Sequence, residues 1–186
     1  MKSISVLRSA VPILLGAALF AAPQAATASP SNHKHTDKLS VTVTGPPADK
    51  HYDLSAGLAC PGFDLLVDLT KSQTSTKTFT TKYGVKVRSI EAGKGYIRTY
   101  TNKTTGKKVV FPSKHFSADT TFDKNGLGTV TSTGHFGLIM FPTDVPAGPS
   151  TTEYVGRVVY TATPANDFTI LSVRAKAIDV CAKLAK

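Results

Sequence analysis

From residue 63 to residue 177 the chain alternates apolar and polar positions with a period of two, and no helical stripe interrupts it. FDLLVDL (63–69) opens the pattern. TSTKTFTTK (74–82), YGVKVRSI (83–90), GYIRTYT (95–101), GKKVVF (106–111) and HFSADTTF (115–122) follow. LGTVTSTGHFGLIMF (127–141), EYVGRVVYTA (153–162) and DFTILSVRAKA (167–177) complete it. Thr, Val, Tyr, Phe and Ile dominate these runs and suit a pleated, half-buried surface. The pattern predicts eight or nine short strands and an all-β domain.

Turn signals separate the runs. NKTTGKK (102–108) fits a hairpin loop with Gly106 at positive φ, and DKNGLG (123–128) holds Asn125-Gly126, a strong hairpin signal. FPTDVPAGPST (141–151) is too long and proline-rich for a tight turn, and is expected either to cross between sheets or to cover a barrel mouth. Strands joined by short loops are usually antiparallel neighbours. The expected architecture is therefore an antiparallel meander closing into a barrel-like fold, with a β-sandwich as the alternative. The tail IDVCAKLAK reads either as one helical turn or as the end of the last strand.

The N-terminal part reads differently. Residues 1–28 combine Lys2 and Arg8, an apolar run at 11–22 and the small-residue site Ala26-Thr27-Ala28, the pattern of a secretory signal peptide. The run is too short for the ~20 residues of a spanning helix, and no transmembrane segment is expected. Residues 29–56, rich in Ser, Pro, Lys, His and Asp, read mostly as a flexible leader, although LSVTVT (39–44) alternates as a strand would. The folded domain is then 57–186, and the protein is expected to be secreted, with a monomer as the simplest state.

Export changes the meaning of the cysteines. The chain has two, Cys60 and Cys181, at the two ends of the expected domain. In an oxidising compartment they read as a disulfide. A barrel would make the first and last strands neighbours, so the bond would pin their seam. A redox role would prefer CxxC spacing.

ACPGFDLLVD, TNKTTGKKV, YVGRVVY and DVCAKLA together resemble a family of small exported actinobacterial proteins with no established function. The resemblance spans residues 57–186. It implies an all-β, two-cysteine exported protein and supplies no catalytic residue. Pro61 departs from the family pattern, which is nearer to CGF, and bears on the local turn.

The formal net charge is +10, unevenly spread. Residues 71–115 hold eleven Lys/Arg against Glu91 alone, while residues 116–186 hold six of each sign. Such a field suits an anionic partner, an exported protein's candidates being cell-wall polymer, anionic polysaccharide or lipid headgroups. No specific nucleic-acid recognition is expected. The alternative is a lysine-edged sheet kept soluble and unpaired.

Catalytic motifs are absent: no GxSxG, HExxH, P-loop or dinucleotide fingerprint occurs. His115 and His135 lie in the domain, but no neighbouring residue marks either as the base of a triad. Asp64 and Asp68 would stand ~13 Å apart along a strand, beyond the ~5–9.5 Å of glycosidase carboxylates. His33 and His35, with His51, form an HxH group without a second shell, so no metal or cofactor is expected. Asn102-Lys103-Thr104 matches a glycosylation acceptor but reads more simply as a turn.

The remaining constellation is Tyr96, Arg98 and Tyr100 on one face of a strand. Facing out, they form a basic-aromatic strip with Lys86, Arg88 and Lys94. Facing into a barrel lumen, Arg98 anchors the carboxylate or phosphate of a small ligand. As core, the tyrosines fill space and Arg98 pairs with a buried acid such as Asp64 or Asp68. The functional expectation is a secreted, non-catalytic protein holding an anionic envelope or extracellular partner on a basic sheet, or else a lipocalin-like carrier of a small amphipathic or anionic ligand.

Overall fold

The computed structural model describes residues 39–112 and 114–185. The expected signal peptide, and the leader up to residue 38, lie outside the described residues. Eleven strands and one short helix follow: β1 (Ser40–Thr44), β2 (Lys50–Leu54), β3 (Leu65–Thr70), β4 (Gln73–Thr80), β5 (Lys86–Lys94) and β6 (Ile97–Asn102); then β7 (Lys108–Phe111), β8 (His115–Phe122), β9 (Gly128–Met140), β10 (Ser150–Ala162), β11 (Phe168–Asp179) and α1 (Val180–Ala185). The nine strands from β3 onward fall on the nine alternating runs. β1 and β2 fall within the expected leader. They pair with β4 and β3, so residues 40–44 and 50–54 belong to the sheets, although nearly all of their side chains are exposed.

The strands form two antiparallel sheets, a seven-stranded one ordered β1-β4-β5-β8-β9-β10-β11 and a four-stranded one ordered β2-β3-β6-β7. The described strands close no barrel; the arrangement is sandwich-like. The expectation of a meander failed at the connections. Lys71-Ser72 joins β3 to β4, and Gly95-Tyr96 joins β5 to β6. Both are short enough for hairpins, yet each carries the chain from one sheet to the other, as corner strands do. Lys71 takes a positive φ of 56° at one corner. The 141–151 loop also departs from expectation: it joins neighbours in one sheet. The Asp144 carboxylate accepts hydrogen bonds from Phe141 N and Phe168 N and folds the loop against the start of β11.

The true hairpins match their signals. Asn102 Oδ1 accepts from Thr104 N and Thr105 N, with Gly106 at φ 73°. Asp123 Oδ1 accepts from Asn125 N and Leu127 N, on either side of Gly126.

A glycine row bends the large sheet. Gly93, Gly134 and Gly156 sit in register around Phe116, at φ 145°, 103° and 138°. A Cβ on any of them would come within 2.3, 2.1 or 2.6 Å of a neighbouring strand's carbonyl oxygen. Glycine at such positions lets strands approach and fold sharply. Phe136, Leu138, Tyr154 and Val158 cluster beside this line, with Phe116, Tyr160 and Ile170 packed on them.

The other core lies between the sheets. Leu65, Val67 and Tyr100 of the small sheet pack with Ala59, Phe63, Val180 and Leu184, and Ile139 of β9 packs against them. Cys60 and Cys181 are bonded within this cluster, at a Cα separation of 5.5 Å. The bond ties the loop between β2 and β3 of the small sheet to the helix that follows β11 of the large one. It is therefore an inter-sheet staple and not the barrel seam expected. Asp179 Oδ1 accepts from Ala182 N to start α1, and Asn102 Nδ2 donates to Leu184 O at its end.

Candidate functional site

Alternation along β6 places Tyr96, Arg98 and Tyr100 on one face, and that face points inward. The Arg98 side chain is only 7% exposed. Its guanidinium grips Glu153 of β10 with two bonds, Nε to Oε1 at 2.6 Å and Nη2 to Oε2 at 2.9 Å, while Nη1 donates to Tyr96 O. The Tyr100 hydroxyl donates to Glu153 Oε1 at 2.8 Å. Burial and the adjacent Glu153 charge push the Tyr100 hydroxyl well above its ordinary pKa. Gly137, directly opposite Glu153, makes room: a Cβ there would lie 2.4 Å from the Tyr100 hydroxyl and 2.8 Å from Glu153 Oε1.

The partner acid was missed from sequence, where Asp64 and Asp68 were the candidates. Asp64 instead accepts from Ala56 N, and Asp68 pairs with His51 at 2.6 Å. The signal for Glu153 was present: it is the single acid of TTEYVGRVVY, in a run otherwise fit for burial.

The expected strip does not assemble. Lys86, Arg88 and Lys94 are exposed, while Arg98 and Tyr100 are buried. A register shift near Phe79 leaves Lys86 opposite Thr80 and Arg88 opposite Phe79, which turns Lys86 to the other face from Arg88. Lys86 then lies 5.2 Å over the Phe122 ring. Tyr96 is partly buried and donates to Ala48 O.

A different basic surface appears on the large sheet. Strand register puts Ser75, Ala92, Ser117, Thr133, Arg157 and Arg174 in one transverse row. Lys77, Arg88 and Lys94 share that face at one side, and Lys176 continues it at the other. All six cations are exposed. Of the acids on this face, Asp119 is held by Arg88, whose hydrogen bond and charge lower the carboxyl's pKa, and Glu153 is buried against Arg98. Arg157 and Arg174 directly face each other, an arrangement that costs stability.

The acids explain why this face stays positive. The chain has twelve Asp and Glu. Asp37 lies outside the described residues, and each of the other eleven accepts a hydrogen bond. Asp49, Asp64, Asp123, Asp144 and Asp179 take backbone N–H groups. Glu91 and Asp167 take threonine hydroxyls. Asp53, Asp68, Asp119 and Glu153 take Lys103, His51, Arg88 and Arg98. None of these bonds comes from Arg157, Arg174 or Lys176. Acids are thus spent inside turns, caps and pairs, while most cations remain at the surface.

A cleft of about 220 Å³ opens between the sheets beside the Arg98–Glu153 pair. His135 lines it, and burial, with help from Lys114 and Arg98, lowers its pKa so that the ring is neutral near pH 7. No serine lines this cleft with His135. No group of three or more His, Cys, Asp or Glu is placed to hold a metal ion among the described residues. No described helix is long and apolar enough to cross a membrane. No family model, curated relative or solved structure matches the chain.

Proposed function

We propose that this is an exported, non-catalytic binding protein that holds an anionic extracellular polymer on the exposed basic face of its large sheet. One observation carries the reading: six exposed cations share a face on which Asp119 is held by Arg88 and Glu153 is buried against Arg98. A like-charged pair such as Arg157 and Arg174 is destabilising in the free protein and becomes favourable when an anion bridges it. Lys176 lies two residues from Arg174, ~7 Å along the strand, so three cations stand within reach of consecutive anionic groups. The threonine and serine hydroxyls of the same face offer hydrogen bonds to a polar chain.

The disulfide suits an oxidising compartment. The chemistry of the face fits a polyphosphodiester or polyuronate better than a compact ligand, because its cations are spread across several strands. The test compares two variants against an immobilised polyanion. Replacing Arg157, Arg174 and Lys176 by Ser is expected to remove most of the binding. Replacing Lys108 and Lys124, which lie elsewhere, leaves most of it. Equal losses in the two variants would reject the assignment to this face.

A further inference from the structure

The cleft between the sheets has a charge opposite to that of the exposed basic surface. Arg98 is its conspicuous cation, yet Glu153 neutralises it through two bonds and Tyr96 O takes a third nitrogen. An anionic ligand would have to displace a buried carboxylate to reach it. The charge left uncompensated at the wall is Glu91. Thr74 donates to its Oε1 at 2.7 Å, and no donor among the described residues reaches Oε2.

The other walls are aromatic and aliphatic. Tyr52 and Tyr96 stand on the small-sheet side, and Phe116 and Phe136 on the large-sheet side. Val67 and Leu69 complete an apolar floor. Near pH 7 the ring of His135 adds no charge, and Lys114 is the nearby cation that acts on that ring. With Arg98 and Glu153 cancelling, the lining keeps one net negative charge. A ring-walled site with a single carboxylate favours a cation: the ring quadrupoles and the carboxylate both attract it, and both repel an anion. The cleft, of about 220 Å³, offers room for a small molecule.

We infer that the inter-sheet cleft binds a small organic cation, a substituted amine or quaternary ammonium, with its charged head at Glu91 and its alkyl groups against the aromatic walls. This site takes the opposite charge to the basic surface and does not depend on it.

The probes are choline and its uncharged isostere 3,3-dimethylbutan-1-ol, with 3,3-dimethylbutanoate as the anion, each titrated into the folded protein and followed by amide chemical shifts. Choline is expected to bind at least tenfold more tightly than the isostere, with shifts centred on residues 52, 91, 96, 116 and 136. Glu91→Gln is expected to remove that preference. Tyr52→Ala, on an edge strand, is expected to weaken choline at least threefold with the fold intact. Equal or tighter binding of the alcohol or the carboxylate would overturn the inference. So would shifts centred on another surface, or no choline shifts up to 50-fold excess at millimolar protein. If Glu91→Gln does not fold, the isostere comparison on the unaltered protein decides alone.

Discussion

Arg98 and Glu153 are 55 residues apart in sequence and form a two-point ion pair between the sheets, with side chains 7% and 3% exposed. A buried pair of this kind is costly to break and less costly to replace. Glu153→Gln leaves the guanidinium buried without its counter-charge and is expected to destabilise by about 3–5 kcal/mol. The triple variant Arg98→Met, Tyr100→Phe, Glu153→Leu removes all three polar partners at once. It is expected to be more stable than Glu153→Gln, because no buried charge is left alone. Urea unfolding of the two variants checks this; a triple variant as unstable as the single one would show that the pair is not the controlling contact.

The Cys60–Cys181 bond closes a loop with a sequence separation of 121 residues. In the chain-entropy model a loop of that length contributes ~4–5 kcal/mol. Cys60→Ser, Cys181→Ser and reductant are each expected to lower the denaturation midpoint by a similar amount, since all three remove the same staple. An unchanged midpoint under reductant would mean that the hydrophobic cluster around the bond holds the sheets together without it.

Gly134 occupies the centre of the bend line, and a Cβ there would stand 2.1 Å from His115 O at a φ of 103°. Gly134→Ala adds strain at this φ and pushes β8 and β9 apart, a cost on the order of 3 kcal/mol. The measurement is the change in unfolding free energy beside Gly84→Ala, which lies at a turn with open space around it. Gly134→Ala is expected to be the more destabilising of the two.

Arg174 sets stability against binding. Removing it with Arg174→Thr relieves the facing pair with Arg157 and supplies a residue suited to strands. The free protein is expected to become more stable by about 0.2–1 kcal/mol, the range for cross-strand pairs, while its affinity for polyanion falls. A variant that loses stability and keeps its affinity would separate the facing arginines from function.

Much of the fold was legible. Period-two alternation located β3 to β11, and Asn125-Gly126 and Gly106 located their hairpins. Topology was not legible, because the corners at Lys71-Ser72 and Gly95-Tyr96 have the length of hairpin turns. Whether two strands pair or part at such a turn depends on contacts made far along the chain. Glu153 was hidden for the same reason, its partner being 55 residues away. The basic face was half legible: residues 71–115 announced their charge, but Arg157, Arg174 and Lys176 lie in a segment whose signs balance. The balance conceals a segregation, since its acids are drawn into caps, turns and pairs that only the folded chain reveals.

The proposed function depends on the exposed basic face of the large sheet acting as a charged surface. Its most direct test is the affinity for an immobilised polyphosphodiester or polyuronate measured as ionic strength rises. The Debye length is ≈ 10 Å at 0.1 M and shortens with added salt, so exposed cations spread over several strands should lose their combined pull. Affinity is predicted to fall at least tenfold between about 0.05 and 0.3 M salt, and the Arg157, Arg174, Lys176 triple variant to show a shallower dependence. Affinity that stays constant across that range would contradict the proposed function.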